Sequence, residues 1–168
     1  MKFQPKLATH WKISEDKLTY WFRINPDARW SDGREVTADD VVATFNLLAD
    51  EGHGDPNVYT LYGESFDLPL IAESKYIVQM KSKKVDWRTF IYAATSAHIF
   101  PSYYLNKVDG AGYVDKYQYE MLPGTGPYIL DKERTTKDNN GIIVLHKRSD
   151  FWAGNHYINT GIYNFDTI

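Results

Sequence analysis

No cysteine occurs in the 168 residues. That excludes disulfides, thiolate metal ligands and cysteine nucleophiles from this chain. An excess of one charge is also missing, since 19 Lys and Arg stand against 22 Asp and Glu, for a formal net charge of -3. A partner held by phosphate neutralisation, such as a nucleic acid, is therefore not expected. The short basic clusters Lys81-Ser82-Lys83-Lys84 and Lys147-Arg148 read as solvated surface. No apolar run approaches the length of a membrane span, and Met1-Lys2-Phe3-Gln4-Pro5 lacks the apolar core of an export signal. If the protein is exported, its signal is expected outside this chain. Internal repeats and low-complexity stretches are lacking as well.

Aromatic residues are what the chain has in abundance, at 15%, with 13 Tyr, 8 Phe and 5 Trp. Tyr and Trp join a large contact area to a hydrogen-bonding tip, which suits recognition of organic ligands, although most aromatics in any domain are packing residues.

Apolar periodicity supplies the elements. Leu18, Tyr20, Phe22 and Ile24 alternate with Thr19, Trp21 and Arg23, as in a half-buried strand. Leu7 to Ile13 reads as its hairpin partner across the polar turn Ser14-Glu15-Asp16-Lys17. Trp30-Ser31-Asp32-Gly33 is a tight turn, with Gly33 free to take a positive φ. Thr37 then caps a helix, Asp40 stands at the capping-box position, and Val41, Phe45 and Leu48 share its buried face. Asp55 to Asp67 is expected as an aromatic loop and Tyr76 to Met80 as a strand. Asp86 and Pro101 open short helices, and Asp109 to Tyr119 forms another. After the rigid cluster Pro123-Gly124-Thr125-Gly126-Pro127, a hairpin is expected from strands at Tyr128 to Leu130 and Ile142 to His146, joined by a polar turn from Thr135 to Gly141. The Gly/Pro cluster is taken as a domain boundary, giving units 1–122 and 123–168. The fold class is α+β, with a mixed or antiparallel sheet and helices packed on it.

Motifs that carry chemistry are hard to find. Asp39 and Asp40 are explained by the helix start and Asp32 by its turn, which leaves a carboxylate hydrolase using Asp32 and Glu64 as a weak reading. The five histidines are scattered without metal-ligand spacing. Gly124-Thr125-Gly126-Pro127 lacks the lysine of a phosphate loop, and Pro127 removes a backbone N–H. Ser65, Ser96 and Ser102 lack a nucleophile elbow. No enzyme activity, cofactor or metal is expected. A second possibility is an aromatic-rich carbohydrate-binding module that presents Trp11, Trp21 or Trp87 as stacking platforms.

Two blocks carry a resemblance. The first runs Leu7-Ala8-Thr9-His10-Trp11, Leu18-Thr19-Tyr20-Trp21-Phe22-Arg23-Ile24, Trp30-Ser31-Asp32-Gly33 and Val36-Thr37-Ala38-Asp39-Asp40-Val41. The second joins Gly124-Thr125-Gly126-Pro127-Tyr128 to Arg148-Ser149-Asp150-Phe151-Trp152. In order and spacing they resemble the family 5 extracellular solute-binding proteins, receptors of ABC importers that include oligopeptide and dipeptide binders. The tail Gly161-Ile162-Tyr163-Asn164-Phe165-Asp166 is similar to the subgroup related to microcin-uptake receptors.

The resemblance implies a partial periplasmic-binding-protein-like lobe: the small accessory domain of the first lobe, then the start of the return into that lobe's main sheet, with a second lobe to follow. It implies capture of a peptide or other small solute outside the cytoplasmic membrane and delivery to an ABC permease. It places the receptor in the periplasm or extracellular space, membrane-associated through its transporter. Residues such as Trp30, Asp32, Gly33, Thr37 and Asp40 then belong to the scaffold. Tyr59 and Tyr62 match the zone that reaches the ligand cleft in peptide receptors, with Thr125 and Tyr128 as further candidates. A lone lobe is expected to bind ligand weakly, and its uncovered face to favour self-association.

Overall fold

Alternation along the chain builds a four-stranded antiparallel sheet in the computed structural model, which describes residues 3–136 and 141–168. Strands β1 (Ala8–Ile13), β2 (Thr19–Ile24), β3 (Phe66–Ser74) and β4 (Ile77–Ser82) stand in the order β1-β2-β4-β3. On β2, Tyr20, Phe22 and Ile24 are buried, and Tyr20 and Phe22 lie opposite Met80 and Val78 of β4, also buried. Opposed residues share a face, so these side chains form one apolar layer. β3 is an edge strand, which is where Pro69 can be accommodated without breaking a ladder on both sides.

Helix α1 (Ala38–Leu48) packs on the β3 and β4 side of that layer, with Phe45 edge-on to Phe66, while Tyr20 and Phe22 pack on Phe90. Its start follows from capping: the Asp40 carboxylate accepts the backbone N–H of Thr37 at 2.8 Å. The other Asp40 oxygen accepts the N–H of Ser102 at 2.7 Å, tying the helix start to the short α4 (Ser102–Leu105). Val41 and Phe45 are buried as the spacing predicts, while Leu48 is only half-buried and Thr44 and Leu47 complete the inner face. The Thr44 hydroxyl accepts the N–H of Phe100 at 2.9 Å, so the polar position is satisfied. Between α1 and β3 the chain forms α2 (Pro56–Tyr62) where a loop is expected from sequence; Asp55 caps it through Asn57 and Val58, and Pro56 sits at its first turn. The remaining helices are α3 (Trp87–Ile91), continued by a π turn at Tyr92–Ser96, and α5 (Gly110–Tyr117). Asp50 accepts the N–H groups of Gly52 and Gly110, both at 2.8 Å, and binds the end of the α1 region to the start of α5.

The chain divides into two units, Met1–Pro26 with Val36–Leu122, and Asp27–Glu35 with Pro123–Ile168. The segment Asp27–Glu35, expected to join hairpin and helix in one unit, thus groups with the later part of the chain. It is a small loop in which Arg29 pairs with Glu35 and the N–H of Gly33 (φ 87) bonds to the carbonyl of Trp30. In the second unit, β5 (Tyr128–Leu130) pairs antiparallel with β6 (Leu145–Lys147). β6 starts later than the alternation from Ile142 suggests, although Thr136 and Asp131 still bond to the carbonyls of Ile142 and Val144. The expected turn at 135–141 falls partly outside the described residues. Asp166 and Ile168 bond to Lys147 and Leu145, adding a further extended segment beside β6. No helix among the described residues is long and apolar enough to cross a membrane.

Candidate ligand-contacting site

Tyr59 and Tyr62 lie one turn apart on α2, yet they do different work. Tyr62 is buried at 4% exposure, with its ring edge-on to Phe45 at 5.3 Å, and burial raises its phenol above the ordinary tyrosine range. Its ring belongs to the core. Tyr59 is half-buried and keeps an accessible phenol, which a hydrogen bond to the Glu51 carboxylate also holds above the ordinary range. The next turn fixes the Tyr59 ring from below: a Cβ at Gly63 would stand 2.9 Å from the Tyr59 carbonyl and 3.0 Å from its ring. Only glycine lets the chain leave α2 so close to that ring. The Gly63 carbonyl accepts the Lys83 ammonium at 2.9 Å. The arrangement presents a phenol and a carboxylate side by side, able to donate to or accept from a polar solute.

Thr125 and Tyr128 belong to the second unit and are half-buried there. The Thr125 carbonyl accepts the Trp152 indole N–H at 3.0 Å. The Tyr128 hydroxyl donates to the Phe165 carbonyl at 2.9 Å, and its ring stands edge-on to Tyr163. Tyr128 thus has an internal role before any ligand is considered.

The residue that sequence reasoning misplaced is Arg148. Expected on a solvated basic surface with Lys147, it is 5% exposed, whereas Lys147 is exposed. Its guanidinium donates to the Trp30 carbonyl at 3.1 Å, the Gly126 carbonyl at 3.3 Å and the Gly124 carbonyl at 3.5 Å, and pairs with Asp150 at 3.0 Å. Three separate sequence motifs, the Trp30 turn, the Gly/Pro cluster and the Arg148–Trp152 element, therefore meet on one side chain. Strand alternation was the available signal: neighbours on an extended segment point to opposite faces.

Asp32 accepts the N–H of Arg34 at 3.1 Å and is held in its own turn; Glu64 is an exposed residue of the other unit. Of the three tryptophans considered as stacking platforms, Trp21 donates its indole N–H to Glu73 at 2.9 Å and is covered by the Lys12 ammonium at 5.2 Å, while Trp11 and Trp87 are exposed. Among the described residues there is no group of three or more potential metal ligands.

Comparison with known proteins gives a consistent result. The profile of the bacterial extracellular solute-binding proteins, family 5 Middle, matches residues 2–166. The peptidoglycan-binding protein YepA of Agrobacterium fabrum is 28% identical over 164 residues, covering 96% of this chain and 25% of that protein. SapA of Escherichia coli, described as a probable ABC transporter periplasmic-binding protein, is 26% identical over 91% of this chain and 30% of its own. Among solved structures, the oligopeptide-binding protein AppA of Bacillus subtilis, in complex with a nonapeptide, superposes with a TM-score of 0.74 at 25% identity, over 88% of this chain and 28% of that one. The chain spans about a quarter of the length of the curated relatives it matches.

Proposed function

Because the chain belongs to the bacterial extracellular solute-binding proteins of family 5, we propose that it supplies part of the first lobe of a receptor that captures a peptide or peptide-like solute outside the cytoplasmic membrane. The receptor passes that solute to an ABC permease. The family match over residues 2–166 carries this reading, and the nonapeptide bound by AppA supports the ligand class. In this reading 1–122 is the accessory domain and 123–168 the start of the return into the main sheet. Capture works by closure of two lobes on a cleft. Tyr59 is the first ligand contact, its phenol held beside Glu51; Thr125 and Tyr128 are further contacts, and Tyr62 takes part through its packing beneath α2. A cleft shared between two lobes loses most of its contacts when one is absent, so this chain alone binds weakly. The apolar side chains Ile142, Ile143 and Phe165, exposed on the second unit, favour its self-association.

Calorimetric titration of the full-length receptor containing this segment, beside this chain, against a mixed peptide pool tests the reading. Binding by the receptor and none by the chain is the expected result. Tyr59→Phe in the receptor should weaken binding about fivefold and Tyr59→Ala about thirtyfold, since the first removes a hydrogen bond and the second the ring as well. Binding by neither protein would overturn the peptide assignment and redirect the search to sugars and metal chelates. Equal binding by both would overturn the requirement for a second lobe.

A further inference from the structure

β6 is gripped from both sides, and one histidine makes both grips. His146 stands in the middle of β6, opposite Ile129 of β5 and opposite Thr167 of the extended segment 166–168. Opposed residues share a face, so Ile129, His146 and Thr167 line one side of this part of the second unit. Asp131, two residues beyond Ile129, returns to the same side. The His146 Nε2 lies 2.6 Å from an Asp131 carboxylate oxygen, and its Nδ1 lies 3.1 Å from the Thr167 hydroxyl. A turn, a strand and the segment 166–168 thus meet on a single imidazole, and all of them belong to the second unit.

The partners dictate where the protons sit. An ionised carboxylate only accepts, so Nε2 carries a hydrogen and donates to Asp131. In the neutral ring Nδ1 is then the acceptor, and the Thr167 hydroxyl donates to it. A further proton goes to Nδ1. A hydroxyl accepts as readily as it donates, so the Thr167 contact survives with its direction reversed. Proton uptake therefore breaks neither contact and turns the one to Asp131 into an ion pair, the stronger kind of hydrogen bond.

Asp131 is prepared for that charge. Its side chain is 10% exposed, and its other oxygen accepts the N–H groups of Glu133 and Arg134, both at 3.0 Å. The Arg134 N–H chiefly, then the His146 ring and the Glu133 N–H, hold its carboxyl below the ordinary range. It stays ionised at the mildly acidic pH where imidazoles are charged. The competing cation is the Arg134 guanidinium, 3.9 Å from the same oxygen and 61% exposed, so water screens it. Lys147 turns to the other face of β6, and Asp166 is exposed. Among the described residues, no other charged group pairs with His146.

We propose that His146 is a proton-operated latch: its protonation tightens the hold of the Asp131 turn and of the segment 166–168 on β6, and its deprotonation relaxes that hold. The folded state sets the imidazolium against Asp131 and the unfolded state does not, so proton uptake favours the closed latch. The gain is fullest between the histidine and carboxylate ranges, at about pH 4 to 6. It is lost as pH rises through the histidine range, or falls far enough to protonate Asp131. The imidazole is 42% exposed, and solvent screening limits the gain.

Amide hydrogen exchange reads the latch at its own bonds. The N–H of Ile168 bonds to the Leu145 carbonyl at 3.0 Å and that of Lys147 to the Asp166 carbonyl at 2.9 Å, and both open when the segment leaves β6. Their protection factors, corrected for the intrinsic pH dependence of exchange, should be about three- to fivefold higher near pH 5.5 than near pH 8. The N–H of Gly33, bonded to the Trp30 carbonyl in the same unit, should show no such gain. His146→Gln and Asp131→Asn should each remove the gain. Thr167→Val, at an exposed position that tolerates the change, should remove it at Ile168 and keeps the test decisive if the other variants fail to fold. Equal protection at both pH values, a gain shared by Gly33, or a gain that persists in His146→Gln or at Ile168 in Thr167→Val overturns the proposal.

Discussion

Replacing Arg148 by Met keeps most of the aliphatic bulk and removes the guanidinium. The structure allows the cost to be apportioned. Asp150, the anionic partner, is 65% exposed at its side chain, against 1% for Arg148. Water can rehydrate Asp150, so losing the ion pair itself should cost little. The carbonyls of Trp30 and Gly126 are in another position, because each accepts from a charged donor inside the unit. Hydrogen bonds to charged groups contribute about 1.5–3 kcal/mol each, and the Trp30 carbonyl keeps the Gly33 N–H as a partner when the guanidinium is lost, which holds the total near the lower end. Arg148→Met should therefore destabilise by about 3–4 kcal/mol, and Asp150→Ala by about 1 kcal/mol or less. Urea unfolding followed by tryptophan fluorescence is a suitable assay, since Trp30 and Trp152, two of the five indoles, lie in this unit. With a slope of about 2 kcal/mol/M, Arg148→Met should lower the midpoint by about 1.5–2 M. Equal losses for the two variants would refute the reasoning, because the salt bridge and not the carbonyl cluster would then hold the motifs together.

Asp40→Ala removes the acceptor for both Thr37 and Ser102; a loss of about 2–4 kcal/mol in urea unfolding is expected, with Asp40→Asn intermediate. Gly110→Ala would put a Cβ 2.6 Å from the His53 nitrogen and 2.9 Å from the Gly52 carbonyl carbon. Both are backbone neighbours that cannot step aside, so thermal unfolding should fall by about 3–10 °C. The Asp50 carboxyl is held below the ordinary range, chiefly by the Gly110 N–H and then by that of Gly52. A depressed folded-state value means stability present above the unfolded-state value near pH 4 and lost as pH falls through the folded one. Melting temperatures measured from about pH 6 down to 2 should therefore decline less steeply in Asp50→Asn than in the parent.

The parts legible in the sequence were those set by local rules. Alternation from Leu18 to Ile24, the Thr37 and Asp109 helix starts and the positive φ of Gly33 all follow from side-chain period, capping or sterics, and each is present. α2 carried readable signals, Asp55 and Pro56, but its seven residues are too few to show a helical stripe, and the aromatics drew attention instead. β3 hid because its register is irregular between Asp67 and Ile71 and Pro69 interrupts it. For the candidate site, the type of residue was legible and its surroundings were not. Tyr59 and Tyr62 look alike in one dimension, and only Phe45, 17 residues before Tyr62, decides that one ring is core. Arg148 depends on a carbonyl 118 positions away, a distance no window along the chain can sense.

That separation also orders events at the ribosome. Everything in the first unit is in hand once Leu122 has emerged, so its sheet and helices can close while synthesis continues. The loop Asp27–Glu35 must wait, because the side chain that binds the Trp30 carbonyl is made 118 residues later. For the time needed to add about 25 more residues, a second or more at common elongation rates, the nascent chain carries a finished unit with one loop left open. During that interval the Trp30 carbonyl has its turn partner Gly33 and still lacks the guanidinium that later ties the loop to the Gly/Pro cluster.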